Sequence, residues 1–190
     1  LTVGTFVQNT LKVSEKFRLE SGLRGDFVKD YGFAFLPRVS ALFKFTPKLS
    51  SRIGGGLGYK TPTLFTEESE RLQYQNVLRI DEDVNKMERS YGVNADINYK
   101  TKFADGEVSF SINQLFFYTR ITDPLLLQPD GGNYRFNTVE GHIDSRGIET
   151  NIKIGYSDFK LFLGYTFTRA DLHRGNSKTE SFLTPKHRIN

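Results

Sequence analysis

The residue types that could do chemistry are few and scattered. There is no Cys, which removes thiol catalysis, disulfides and thiolate zinc sites together. His142, His173 and His187 each stand in or beside a loop or strand end, and their spacing shows no convergence with carboxylates of the kind a metal site needs. The run Ile53-Gly54-Gly55-Gly56-Leu57-Gly58-Tyr59-Lys60-Thr61 invites a phosphate-loop reading. It fails, because Tyr59 separates Gly58 from Lys60 and no helix pattern follows; the dinucleotide fingerprint fails at Tyr59 as well. Asp81, Asp83 and Asn85 occupy the first, third and fifth positions of a calcium loop, but Lys86 and Gly92 stand at the sixth and twelfth. An EF-hand is thereby rejected. A solvated acidic loop remains, with incidental calcium binding left open. No Ser, His and Asp lie in a nucleophile-elbow context. No catalytic residue, metal site or cofactor is expected.

What must position any site is a set of two-faced strands. Between Phe35 and Pro47 the odd positions carry Phe35, Pro37, Val39, Ala41, Phe43 and Phe45, and the even positions include Arg38, Ser40 and Lys44. That period of two predicts a strand with one apolar and one polar face. Thr46-Pro47-Lys48 predicts a tight turn, after which Ile53, Leu57 and Tyr59 oppose Arg52, Gly54, Gly56 and Lys60. Alternation resumes over Tyr91–Phe103, and Ala104-Asp105-Gly106 predicts a hairpin. The next strand sets Val108, Phe110, Ile112, Phe116 and Tyr118 on one face, with Gln114 as its outlier. Ile148–Tyr156 and Phe159–Phe167 continue the pattern, and Leu1–Val13 and Phe17–Phe27 precede it. A last partial strand is expected around Leu183–Ile189.

The turns near Ser14, Pro47, Asp105 and Ser157 are short. Three other connections, Pro62–Glu88, Asp123–Glu140 and Asp171–Ser181, read as long loops, with a helical turn admissible at Glu67–Arg71. Short turns at one rim and long loops at the other are the layout of outer-membrane barrels. Phe17, Phe45, Tyr99, Phe103, Tyr156 and Phe159 sit beside the short turns, where an aromatic girdle belongs.

Composition bounds the class. The chain has 190 residues, 37% of them hydrophobic and 14% aromatic, with 17 Phe and 9 Tyr. No apolar run approaches the roughly 20 residues of a membrane helix, whereas a barrel strand needs only alternate apolar residues. The net charge of +4 is spread among 26 basic and 22 acidic residues, with no basic block of the kind that marks nucleic-acid binding.

The run PRVSALFKFTPKLSSRIGGGLGYKTPTLF, residues 37–65, resembles the mid-barrel hairpin of TonB-dependent outer-membrane receptors. There a strand ends in a Gly-Tyr/Phe-Lys/Arg-x-Pro-x-Leu-like segment and leads into a large external loop. Met87-Glu88-Arg89-Ser90-Tyr91 is similar to the segment that re-enters the next strand, with Met87 in the usual Pro position. The resemblance extends from about Thr5 to Leu183-Thr184-Pro185-Lys186-His187. It implies an all-β antiparallel meander, a partial β-barrel domain over residues 1–190 supplying roughly nine strands of a barrel of about 22. The plug domain, the energy-coupling box and the terminal strands are expected to lie outside it. It also implies TonB-energised uptake of a scarce nutrient, most readily a ferric siderophore or similar iron complex. The implied partners are the TonB complex (through the missing N-terminal region), outer-membrane lipid and that small nutrient ligand. On that reading the candidate ligand contacts are the loop residues Tyr74, Arg79, Asp81, Asp83, Tyr134 and Arg135, since binding residues ride on loops held by a rigid scaffold. Arg38, Arg52 and Lys60 would face the lumen, as a basic wall toward a plug or anionic ligand, or simply as hydrated lining.

A soluble antiparallel sheet with one face buried gives the same alternation. The alternative is therefore a soluble or surface-exposed β-sandwich module for adhesion or binding.

Overall fold

The computed structural model describes residues 1–180 and 184–190. Its strands are β1 (Thr2–Lys12), β2 (Phe17–Val28), β3 (Gly32–Lys44), β4 (Leu49–Lys60), β5 (Glu88–Phe103), β6 (Val108–Thr122), β7 (Leu125–Asp130), β8 (Asn133–Thr138), β9 (His142–Tyr156), β10 (Phe159–Arg174), β11 (Ser177–Glu180) and β12 (His187–Ile189); a short helix α1 spans Glu67–Arg71. Neighbours in sequence are neighbours in the main sheet, in the order β1-β2-β3-β4-β5-β6-β9-β10, and β10 then pairs with both β11 and β12. The hairpin β7-β8 forms its own two-stranded sheet.

The short turns are closed by local chemistry. Ser14 Oγ accepts the Phe17 N–H at 3.0 Å, and Thr46 Oγ1 accepts the Leu49 N–H at 3.0 Å, a hydroxyl standing in for a backbone acceptor. At the third turn Ala104, Asp105 and Gly106 have φ of 48°, 52° and 102°, so the left-handed region extends one residue further back than the Asp-Gly pair alone requires.

Register turns alternation into two surfaces. Phe43 lies opposite Phe17, Ile53 opposite Ala41 and Ala95, Tyr99 opposite Leu49 and Ile112, and Ile152 opposite Ile112 and Leu163. These side chains share one face across the whole sheet, and Phe17 and Phe43 stack with ring centroids 4.6 Å apart beside the short turns. Arg38, Arg52, Asp96, Asn98 and Lys153 carry the opposite parity. The apolar face is not covered: Val93 is 54% exposed, Ile97 50% and Leu163 47%. A β-sandwich requires a second sheet packed on that face, and none lies there among the described residues. Along these strands the outward apolar residues (Leu49 to Leu57, Val108 to Phe116, Ile148 to Tyr156, Phe159 to Phe167) form a band near the 9–11 residues of a tilted membrane strand. Gln114, the outlier on β6, lies opposite Thr150. Its Oε1 accepts the Thr150 hydroxyl at 2.7 Å and its Nε2 donates to Glu149 O at 3.2 Å, so the amide is satisfied within the wall.

Three expectations are revised. The segment Asp123–Glu140 is not an open loop: it holds β7-β8, whose turn glycines Gly131 and Gly132 have φ of 56° and 87°, as a type I′ turn demands. The expected loop from Asp171 is a hairpin, with β10 running to Arg174 and β11 starting at Ser177; Ser181 and Leu183 lie outside the described residues. Tyr59, grouped by alternation with Ile53 and Leu57, instead packs with Val28, Ala34 and Met87. The β3-β4 ladder ends at Arg38 and Gly56, next to Pro37, which has no N–H to donate; beyond it β4 is held by β5 alone.

Candidate functional site

The two long connections at one rim fold onto each other. After β4 the chain enters α1, where Thr66 Oγ1 caps the Ser69 N–H at 3.3 Å and Glu67, Glu68 and Glu70 fill the first turn, the end at which acidic side chains are favoured. Gln73, Tyr74 and Asn76, with φ of 51°, 58° and 58°, turn the chain back. It then runs beside β8: the Tyr134 N–H donates to Asn76 O and the Leu78 N–H to Tyr134 O, both at 2.8 Å. A second joint is made by Asn85, 3% exposed, whose Oδ1 accepts the Thr138 N–H at 2.8 Å and whose Nδ2 donates to Asp81 O at 2.9 Å. The Lys86 N–H adds a bond to Thr138 Oγ1 at 3.0 Å. Phe136, Val139, Leu125 and Met87 are buried at this rim. The loops thus form one structured cap.

Under the cap lies a cavity of about 470 Å³ lined by Glu68, Arg71, Leu72, Leu126, Leu127, Tyr134, Ile143, Leu172, Thr179 and Glu180. Ile143 and Leu172 are cross-strand partners with the parity of the polar face. The cavity therefore opens on the side of the sheet away from the apolar band. Its size and its mix of aliphatic, tyrosyl and charged walls are those of a small-molecule site.

The residues singled out in the sequence fall into different places. Tyr134 lines the cavity. Arg135 donates from Nε to Asp130 Oδ2 at 2.9 Å across the β7-β8 hairpin. Tyr74 is exposed and meets Phe65 edge-on at 6.2 Å. Asp81 makes a turn, its Oδ1 accepting the Asp83 N–H at 3.1 Å, and Asp83 is exposed. Arg79 is exposed on the cap with no hydrogen bond or ion pair among the described residues. The aliphatic lining carries no signal of its own in the sequence, and Asn85 stands out there only as part of the calcium-loop-like array; its role appears only in the joint to Thr138.

Arg38 and Arg52 are exposed on the polar face and border a depression of about 520 Å³ over Gly54, Gly56 and Gly92. A Cβ on Gly55 would lie 2.7 Å from Gly92 O, and one on Gly56 2.9 Å from Pro37 O, so this part of the wall admits no side chain without a shift. Lys60 stands at the rim, its Nζ 3.8 Å from Glu88 Oε2.

An iron-regulated outer membrane virulence protein of Vibrio cholerae serotype O1 is 26% identical over 97% of the chain, which spans 30% of that protein's length. The siderophore receptor PirA from Pseudomonas aeruginosa superposes with a TM-score of 0.70 at 15% identity, over 94% of this chain and 36% of PirA. The RagAB peptide importer superposes with a TM-score of 0.62 at 15% identity, over 96% of this chain and 22% of that one. Both likenesses concern the fold. The TonB dependent receptor-like β-barrel family profile matches residues 2–190, and the chain belongs to that family, its open apolar band being the membrane-facing surface of an outer-membrane barrel.

Proposed function

We propose that the receptor carrying this segment imports a ferric siderophore or similar iron complex across the outer membrane, energised by the TonB complex through a region outside the segment. The observation that carries the reading is the joining of the two long loops into one cap over a cavity on the polar side of the wall. A cap of that kind can hold a small cargo at the mouth of a barrel while the strands stay fixed. The fold does not choose the cargo, since a peptide importer shares it; iron is favoured by the Vibrio relative. Tyr74 and Arg79 on the cap and Tyr134 in the cavity supply stacking and cationic hydrogen-bonding groups suited to an anionic, oxygen-rich chelate. Arg38 and Arg52 would line the path below.

Uptake of radiolabelled iron chelates by iron-starved cells tests the reading. Cells lacking the receptor should lose uptake of at least one chelate, regain it with the intact gene, and lose it again when a protonophore collapses the inner-membrane gradient. Equal uptake of every chelate with and without the receptor contradicts the proposal.

A further inference from the structure

Above the apolar band, the same outward face turns polar. On β9 the outward residues beyond Ile148 are Arg146, Asp144 and His142, and β10 sets Arg169, Asp171 and His173 directly opposite them. The two imidazoles stack with centroids 4.6 Å apart and planes 10° apart, so their in-plane Nε2 lone pairs run nearly parallel and one ring must turn about its side-chain torsions for both to reach one ion. Each presents its Nε2 to the same atom, Asp144 Oδ2, at 3.6 Å. Those gaps are too long for hydrogen bonds. They lie close to the edge of about 3.4 Å that bonds of about 2.1 Å make in a tetrahedral zinc site. The three potential ligand atoms all fall within 4.8 Å of one another.

The carboxylate is held from behind. Asp144 Oδ1 accepts the Tyr118 hydroxyl at 2.8 Å and Arg120 Nε at 2.6 Å, while Oδ2 accepts Arg120 Nη2 at 2.9 Å. These bonds fix the plane of the carboxylate and leave Oδ2 facing the imidazoles, as outer-shell partners do for metal ligands. The guanidinium also offsets the Asp144 charge, so the imidazoles would supply most of the affinity. Asp171, across the strand, is turned to Arg169 and Lys178, each 3.1 Å away. The side chains of His142 and His173 are 31% and 28% exposed, which leaves room for water as a further ligand.

We propose that His142, His173 and Asp144 form a binding site for a divalent cation of the zinc type, with at least one coordination position open to solvent. Two imidazoles and one carboxylate suit zinc, copper or nickel. The site faces outward, on the side opposite the capped cavity, and does not rest on the cargo reading. A cation bound there cross-links β9 to β10 at the loop-side end of the wall.

Equilibrium dialysis of the intact receptor in detergent micelles against zinc tests this, with His142→Gln, His173→Gln and the double variant beside the parent. Heat-modifiable gel mobility checks that each barrel is folded. The parent should hold one more zinc than the double variant. Each single variant should bind that zinc at least about 100-fold more weakly, since outer-shell changes alone cost roughly 10–100-fold. With copper(II) as the probe, the parent's electron paramagnetic resonance spectrum should show hyperfine structure from two imidazole nitrogens, reduced to one in either single variant. Equal zinc stoichiometry in the parent and the double variant, or a copper spectrum unchanged by the substitutions, overturns the proposal.

Discussion

Asn85 shows how a residue's job can differ from the one its spacing suggests. In the sequence it completes an Asp81-x-Asp83-x-Asn85 array that resembles the start of a calcium loop. In the structure its buried amide fastens one loop to the next, accepting from Thr138 and donating to Asp81. Removing it leaves the Thr138 N–H without that acceptor, a cost of about 1–3 kcal/mol that falls on the docking of the cap. Asn85→Ala should make the 61–87 segment of the intact receptor cleave faster under limited proteolysis while the barrel keeps its folded gel mobility. Cleavage at the parental rate would mean the cap is held elsewhere. The joint was not legible in the sequence because its partner is 53 residues away. The spacing keeps the three histidines apart for the same reason: only the register of β9 on β10 sets His142 beside His173.

Strands were legible where outward residues are apolar and inward ones polar. Ile148–Tyr156 and Phe159–Phe167 read directly from alternation, but the same strands continue to His142 and Arg174 with polar side chains on the outward face. There the backbone ladder persists while the contrast that reveals it is gone. In Asp123–Glu140, Pro129 and the glycine pair marked a loop, but Leu125-Leu126-Leu127 pairs against Phe136, Asn137 and Thr138 and buries Leu125. The band itself makes a sharp prediction. Leu163 lies mid-band between Ile152 and the open face, whereas Thr168 carries the opposite parity, opposite Gly147. Leu163→Arg should cost about 2–4 kcal/mol when the site is near the bilayer midplane, and Thr168→Arg little. Urea titration of the intact receptor refolded into lipid vesicles checks it, and equal midpoints would contradict a lipid-facing Leu163.

At the scale of the whole molecule, the short turns keep one rim plain, the wall separates lipid from the polar side, and the joined loops roof a cavity on that polar side. The asymmetry of turns and loops was legible from the sequence; the cavity was not, because its lining comes from α1, β7, β8, β9, β10 and β11 together. In the proposed function this cavity receives the cargo. Leu172 is the residue for testing it, since it lines the cavity from a wall strand rather than from the cap and pairs with Ile143 and Thr179. The decisive measurement is the affinity of the intact, purified receptor for the iron chelate whose uptake depends on it, with Leu172→Trp, bulky and uncharged, compared to the parent and folding checked by gel mobility. Filling the cavity should weaken binding by more than about tenfold, equivalent to roughly 1.4 kcal/mol. A folded Leu172→Trp receptor that binds the chelate as tightly as the parent would place the cargo elsewhere.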